Sequence, residues 1–205
     1  MSGAAMNKNI SISLAALLML AACNNSPEQP PLSSAPLAGA TIGGDFSLTD
    51  QNGRKRTNAE FDGKYRIVYF GYTNCPDICT PDVQSLMAGL KAFEKTAPDL
   101  AKKIQPIFIT VDPERDTPAV LKQFVSAFHP RLVGLTGSEV DIADTAKKFA
   151  VYYDRVEGSA PDAYLMSHSQ TPFLMGPDGK PLAILPTANE GAPELVTAEL
   201  AKWVR

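Results

Sequence analysis

A chain of 205 residues, 44% hydrophobic and 20% charged, has room for one domain of ordinary size with a real core, plus a leader. Its formal net charge of −3 and the lack of any Lys/Arg-rich run exclude a basic nucleic-acid surface. Three cysteines and two histidines are few enough to be placed one by one.

Residues 1–23, "MSGAAMNKNISISLAALLMLAAC", carry Lys8 and then an uncharged apolar stretch from Ile10 to Ala22. That stretch is too short to span a bilayer comfortably and reads as an export signal. The ending "LAAC" places small residues before Cys23 and resembles a bacterial lipobox, so a lipoprotein signal peptide is expected, with the lipid on Cys23. Residues 24–40, "NNSPEQPPLSSAPLAGA", are rich in Pro, Ser and Asn with no periodic apolar face, and predict a flexible tether. The folded domain is expected over residues 41–205. Export also means that thiols are open to oxidation, so the two remaining cysteines have to be read as a pair.

From Thr41 onward strand and helix signals alternate. "DFSLTDQNGRKRT" sets Phe46 and Leu48 two apart and turns at Asn52-Gly53, as a hairpin does. "YRIVYFGYT" is the continuous branched and aromatic run of a strand buried on both faces. "PDVQSLMAGLKAFEK" lines Val83, Leu86, Met87, Leu90 and Phe93 along one helical stripe. "IQPIFITVDP" is a second buried strand, and "TPAVLKQFVSAF" a helix with Thr117 as N-cap and Pro118 at its first position. "LVGLT" is a short strand and "SEVDIADTAKKFA" a helix opening on Ser138. "VYYDRV", "YLMSHS" and "FLMGPDGKPLAIL" are strands, the last doubling back over Pro177-Asp178-Gly179. "APELVTAELAKWV" closes the chain as a helix, apolar at Leu195, Val196, Leu200 and Val204. This order predicts an α/β domain, a thioredoxin-like mixed sheet flanked by helices with an N-terminal hairpin. Periodicity alone leaves a flavodoxin-like layout open; the final hairpin and helix favour the thioredoxin-like one.

The cysteine pair lies in "CPDIC". Pro76 and Pro81 each suit the first position of a helix, but a helix from Pro76 would put Pro81 in its interior, against the carbonyl of Asp77. The long helix is therefore expected from Pro81, capped by Thr80. Residues 75–79 then form a single turn with both sulfurs ahead of a helix N-terminus, where the dipole and free N–H groups lower a thiol pKa. Four positions apart in a turn, the α-carbons stand roughly 6 Å apart, which admits either a disulfide or a two-sulfur grip on one metal ion. A static disulfide over so short a loop stabilises little. Thiol–disulfide exchange and soft-metal binding both remain.

A metal needs more ligands. His129, in "AFHPRL", reads as the last-turn residue of a helix stopped by Pro130. His168, at the strand-to-loop junction in "YLMSHSQTPFLMGPDG", is the candidate third ligand. Two thiolates and one imidazole suit Cu(I) and can also serve Cu(II), whereas structural zinc usually takes four protein ligands.

In that order and spacing, "GYTNCPDICTPD", "VDPERDTP" and "SHSQTPFLMGPDGK" resemble the Sco/SenC family of membrane-anchored copper proteins, over most of residues 41–205. The C-x-x-x-C element with its later histidine is the specific part; the Pro-Asp-Gly turn alone is common. The resemblance implies a thioredoxin-like domain that delivers copper to the copper A centre of cytochrome c oxidase subunit II. The alternative it implies is a thiol–disulfide oxidoreductase that reduces the cysteines of that centre, so whether the chain is an enzyme stays open. Carried over by position, Cys75, Cys79 and His168 are the expected copper ligands, and Cys75 and Cys79 the catalytic thiols if the pair is redox-active. Asp112, Pro113, Asp116 and Thr117 match the family's acidic loop, where a supporting or docking role is expected rather than ligation, since Asp116-Thr117-Pro118 also builds a helix cap. The resemblance further implies a second periplasmic copper chaperone or a thiol reductant as partner. It places the domain on the periplasmic side of a bacterial inner membrane, held there by the lipid. The chain departs from the family pattern at Ser167, where an aspartate commonly precedes the histidine, and at Pro172, which lacks an N–H and must begin a strand or lie on an edge. A peroxiredoxin-type enzyme shares the fold, but its Pro-x-x-x-Thr-x-x-Cys pattern is absent.

Overall fold

The structure, a computed structural model, describes residues 29–76, 79–158, 163–187 and 191–205; the leader, Cys23 and residues 24–28 lie outside them. Asn52-Gly53 makes the expected turn, with Gly53 at φ 77°, a left-handed value that glycine adopts without steric cost. It joins β1 (Ser47–Asp50) to β2 (Lys55–Thr57). The branched and aromatic run becomes β3 (Tyr65–Gly71), buried at every position. α1 (Cys79–Thr96) and the short α2 (Pro98–Ala101) carry the chain to β4 (Ile104–Thr110), which pairs parallel with β3 along its whole length. α3 (Pro118–Phe128), capped by Thr117, leads to β5 (Val133–Thr136), and a Ser138–Asp141 capping box opens α4 (Glu139–Lys148). β6 (Tyr153–Val156), β7 (Leu165–His168), β8 (Phe173–Met175), β9 (Pro181–Ile184) and α5 (Ala192–Trp203) complete the chain.

Seven strands form one sheet in the order β2-β1-β5-β4-β3-β8-β9. β3, β4 and β5 run parallel, and the pairings outside them are antiparallel. This is the thioredoxin-like mixed sheet flanked by helices, with the N-terminal hairpin at one edge. β3 and β4 lie at its centre because their side chains are apolar on both faces. Tyr69, Phe108 and Phe124 run in contact from β3 through β4 to α3 on one face, while Phe70, Phe149 and Phe173 meet on the other. α5 packs on α1 at close range: a Cβ placed on Gly89 would stand 2.6 Å from the Cβ of Val196.

Four details differ from the sequence expectation. The described part of α1 begins at Cys79 rather than Pro81, so Pro81 falls in a first turn whose N–H groups have no intrahelical acceptor. Residues 29–40, expected within the tether, instead lie against the domain. Leu32–Ser34 form a 3-10 turn, Ala35 is buried, and Leu32 and Leu37 pack on the core. In α5 the buried stripe is Ala192, Val196, Leu200 and Trp203, while Leu195 is exposed. Finally, β6 and β7 leave the main sheet as a separate antiparallel ribbon, pairing Tyr153 with His168 and Val156 with Leu165. Pro172 sits directly before β8, where its missing N–H is not needed, and its carbonyl accepts from Leu185 N–H at 2.8 Å.

Candidate functional site

Three elements converge beyond the C-terminal end of β3. Cys75 lies in the loop leaving that strand, Cys79 opens α1, and His168 ends β7. The loop is held in place by Asp116, fully buried, which accepts from the Thr73 backbone N–H at 3.0 Å, the Thr73 hydroxyl at 2.5 Å and the Thr110 hydroxyl at 2.6 Å. The departing loop is thereby fastened to the end of β4. Burial pushes the Asp116 carboxyl pKa up against these three hydrogen bonds.

The donor atoms of Cys75, Cys79 and His168 all lie within 4.8 Å of one another. Cys79 Sγ is 3.1 Å from His168 Nε2, and the Cys79 backbone N–H donates to Cys75 Sγ at 3.4 Å. His168 Nδ1 lies 3.1 Å from the Ser169 carbonyl. A carbonyl only accepts, so Nδ1 carries the proton and Nε2 turns its lone pair toward the sulfurs, the tautomer a metal ligand needs. Tyr69 and Tyr72 stand edge-on to the imidazole at 6.3 and 6.1 Å between ring centres and fix its plane.

Burial decides the electrostatics. Cys79 is fully buried, and that burial, reinforced by Cys75 and Asp82, pushes its thiol well above the usual range. Proximity to a helix start was expected to lower it; desolvation outweighs the dipole here because the sulfur lies inside the first turn of α1 rather than ahead of it. His168 is shifted the other way, its pKa lowered by burial against the Ser169 carbonyl and Asp82. Both shifts favour the neutral forms of Cys79 and His168. Cys75 is only partly buried and borders a hollow of ≈ 240 Å³ with Tyr72, Pro76, Met166 and His168. The cluster therefore has one side open to a partner.

The acidic loop supports the site without joining it. Asp112 is paired with Arg115 Nε at 2.5 Å and accepts from the Tyr164 hydroxyl at 2.8 Å. Arg115 and Arg155 both lie 3.6 Å from the centre of the Tyr164 ring. These contacts clamp the ribbon that carries His168 onto the loop after β4. Burial first, then Asp112 and Glu114, push the Tyr164 hydroxyl pKa up to about 12, against the opposing charge of Arg115. His129 is remote in role: buried as the C-cap of α3, it meets Glu94 at 3.3 Å. Ser167 is exposed opposite Asp154 on the ribbon. Sequence reasoning missed Tyr69, Tyr72, Asp82, Arg115 and Tyr164, because their partners lie in other elements and no spacing rule connects them.

A model of the SCO1/SenC family matches residues 34–205. The mitochondrial SCO2 homologue of Bos taurus is 45% identical over 141 residues, 68% of this chain and 52% of its own length. The chain thus spans about half the length of that curated relative. The structure of Bradyrhizobium japonicum ScoI with copper bound superposes with a TM-score of 0.71 at 39% identity, covering 80% of this chain and 99% of that one. BsSco, described with a disulfide switch and as a member of the Sco family of cytochrome c oxidase assembly proteins, superposes with a TM-score of 0.59 at 25% identity, covering 80% and 94%.

Proposed function

The chain belongs to the SCO1/SenC family, and from that premise we propose that it binds copper through Cys75, Cys79 and His168 and delivers it during assembly of cytochrome c oxidase. The observation that carries this reading is the convergence of two sulfurs and an imidazole nitrogen within 4.8 Å. These are the soft and borderline donors that suit copper in either oxidation state. The copper-bound relative supports it. The recipient on this reading is the copper A centre of subunit II, whose thiolates take the ion by displacing these donors one at a time through the open side at Cys75. The domain works on the periplasmic side of the inner membrane, held by a lipid on Cys23.

The test is an anaerobic Cu(I) competition titration of the reduced domain. His168→Ala is expected to weaken affinity by at least about tenfold, the scale set by losing a ligand or its close support. Unchanged affinity sinks the copper assignment.

A second reading has its own observation. Partly exposed Cys75 lies within hydrogen-bond reach of the Cys79 backbone, ahead of buried Cys79, the order of an attacking and a resolving thiol. Cys75 as thiolate attacks a disulfide in the target and expels one thiolate; Cys79 then displaces the target's other sulfur, leaving the target reduced and a Cys75–Cys79 disulfide. An external dithiol must restore the pair. BsSco's disulfide switch supports this reading. Reduction of an oxidised copper A subunit by the copper-free protein at the same rate in wild type and His168→Ala would favour it.

A further inference from the structure

The buried acids of this domain are matched in different ways. Asp50 meets Arg56, Asp112 meets Arg115, and Asp116 accepts three hydrogen bonds. Asp82, 3% exposed, accepts from the neutral Tyr69 hydroxyl at 2.8 Å. Among the described residues no basic side chain forms an ion pair with it. A buried carboxylate without a cation is costly, so this position calls for another explanation. Asp82 is three residues along α1 from Cys79, on the same side of the helix. Its partner Tyr69 stands edge-on to His168. Its charge acts on both Cys79 and His168.

We infer that Asp82, held by Tyr69, is a positioning residue of the donor cluster whose fixed negative charge favours bound Cu(II) over Cu(I). Two thiolates and a neutral imidazole sum to one negative charge with Cu(I) and to none with Cu(II). A neighbouring carboxylate repels the first assembly and is indifferent to the second. The inference rests on the copper reading and extends it to which oxidation state the site prefers.

The test is a pair of competition titrations, one with Cu(I) under anaerobic conditions and one with Cu(II), on wild type and Asp82→Asn. The amide keeps an oxygen for the Tyr69 hydroxyl and removes the charge. Cu(I) affinity is expected to rise about tenfold or more while Cu(II) affinity changes by less than about threefold, as the field of one nearby charge dictates. Tyr69→Phe removes the hydrogen bond but keeps the charge, and shifts the ratio less. Equal loss of both ions in Asp82→Asn, or an unchanged ratio, overturns the inference and leaves the pair as a structural clamp. If Asp82→Asn does not fold, the Tyr69→Phe/Asp82→Leu double variant carries the same comparison, since removing both partners leaves no polar group unpaired. Wild type that binds neither ion overturns the copper reading together with this one. Wild type that binds both, beside a variant with an unchanged ratio, overturns the inference alone.

Discussion

Asp116 concentrates in one side chain the work of joining two strand ends. Its carboxyl accepts from Thr73 N–H, Thr73 Oγ1 and Thr110 Oγ1, and none of its surface meets solvent. Replacing it with Ala would leave the Thr73 N–H and hydroxyl, both half-buried, and the buried Thr110 hydroxyl without this acceptor, each costing on the order of 1 kcal/mol where water cannot take its place. Asp116→Ala is therefore expected to lose roughly 2–4 kcal/mol in urea unfolding of the metal-free domain. It should also weaken Cu(I) binding, because the loop that carries Cys75 is no longer tied to β4. Wild-type stability would show that the loop is held by other contacts. Sequence assigned Asp116 to a helix cap together with Thr117, and the cap is present. What the sequence could not show is that the carboxyl turns away from the helix toward a threonine 43 positions upstream, since side-chain direction is decided by packing between elements.

Between elements, α1 and the end of α3 meet at a titratable joint. His129 is 3% exposed, its Nε2 lies 3.3 Å from Glu94 Oε2, its Nδ1 accepts from Arg131 N–H at 3.1 Å, and Arg131 also pairs with Glu94. Burial depresses the His129 pKa below 6.5; Glu94 opposes this, while Arg131 and Lys91 add to it. With the folded value below the unfolded one, the unfolded chain takes the proton first. The contribution is then fully present above the unfolded value and is lost as pH falls through the folded one. The urea midpoint of the metal-free domain should therefore drop as pH falls below about 6.5, and drop less in His129→Asn. The variant is needed because His168 is shifted in the same direction. Equal slopes in the two proteins would remove His129 from the account. The elements themselves were largely legible: the stripe Val83, Leu86, Met87, Leu90 and Phe93 is buried as periodicity requires, and the Thr117 and Ser138 caps stand where local rules put them. The start of α1 was not, because Pro76 and Pro81 compete and local rules rank them only weakly. The separation of the β6–β7 ribbon was not either, because alternation reveals strands but not their partners.

On the scale of the whole molecule, residues 29–40 belong to the fold. Gln29 Nε2 donates to the carbonyls of Ala201 and Val204, Arg205 donates to the Pro30 carbonyl, and the Leu37 N–H donates to the Leu182 carbonyl at 3.0 Å. Residues 29–37 are thus strapped across the end of α5 and the edge strand β9. Composition misled here because three isolated apolar residues, Leu32, Ala35 and Leu37, set no period, yet each finds a place on the core. The consequence reaches function through length. If Cys23 carries a lipid, the chain from Cys23 to Gln29 spans at most about 22 Å, which would hold the domain close to the membrane surface rather than at the end of a long leash. A soluble domain beginning at Thr41 should be less stable than one beginning at Gln29 by roughly 1–3 kcal/mol in urea unfolding, the scale of burying these side chains. Its Cu(I) affinity should be unchanged, because the strap lies along α5 and β9 and the donor cluster beyond the end of β3. Equal stability of the two lengths would return residues 29–40 to the tether and lengthen the reach of the domain.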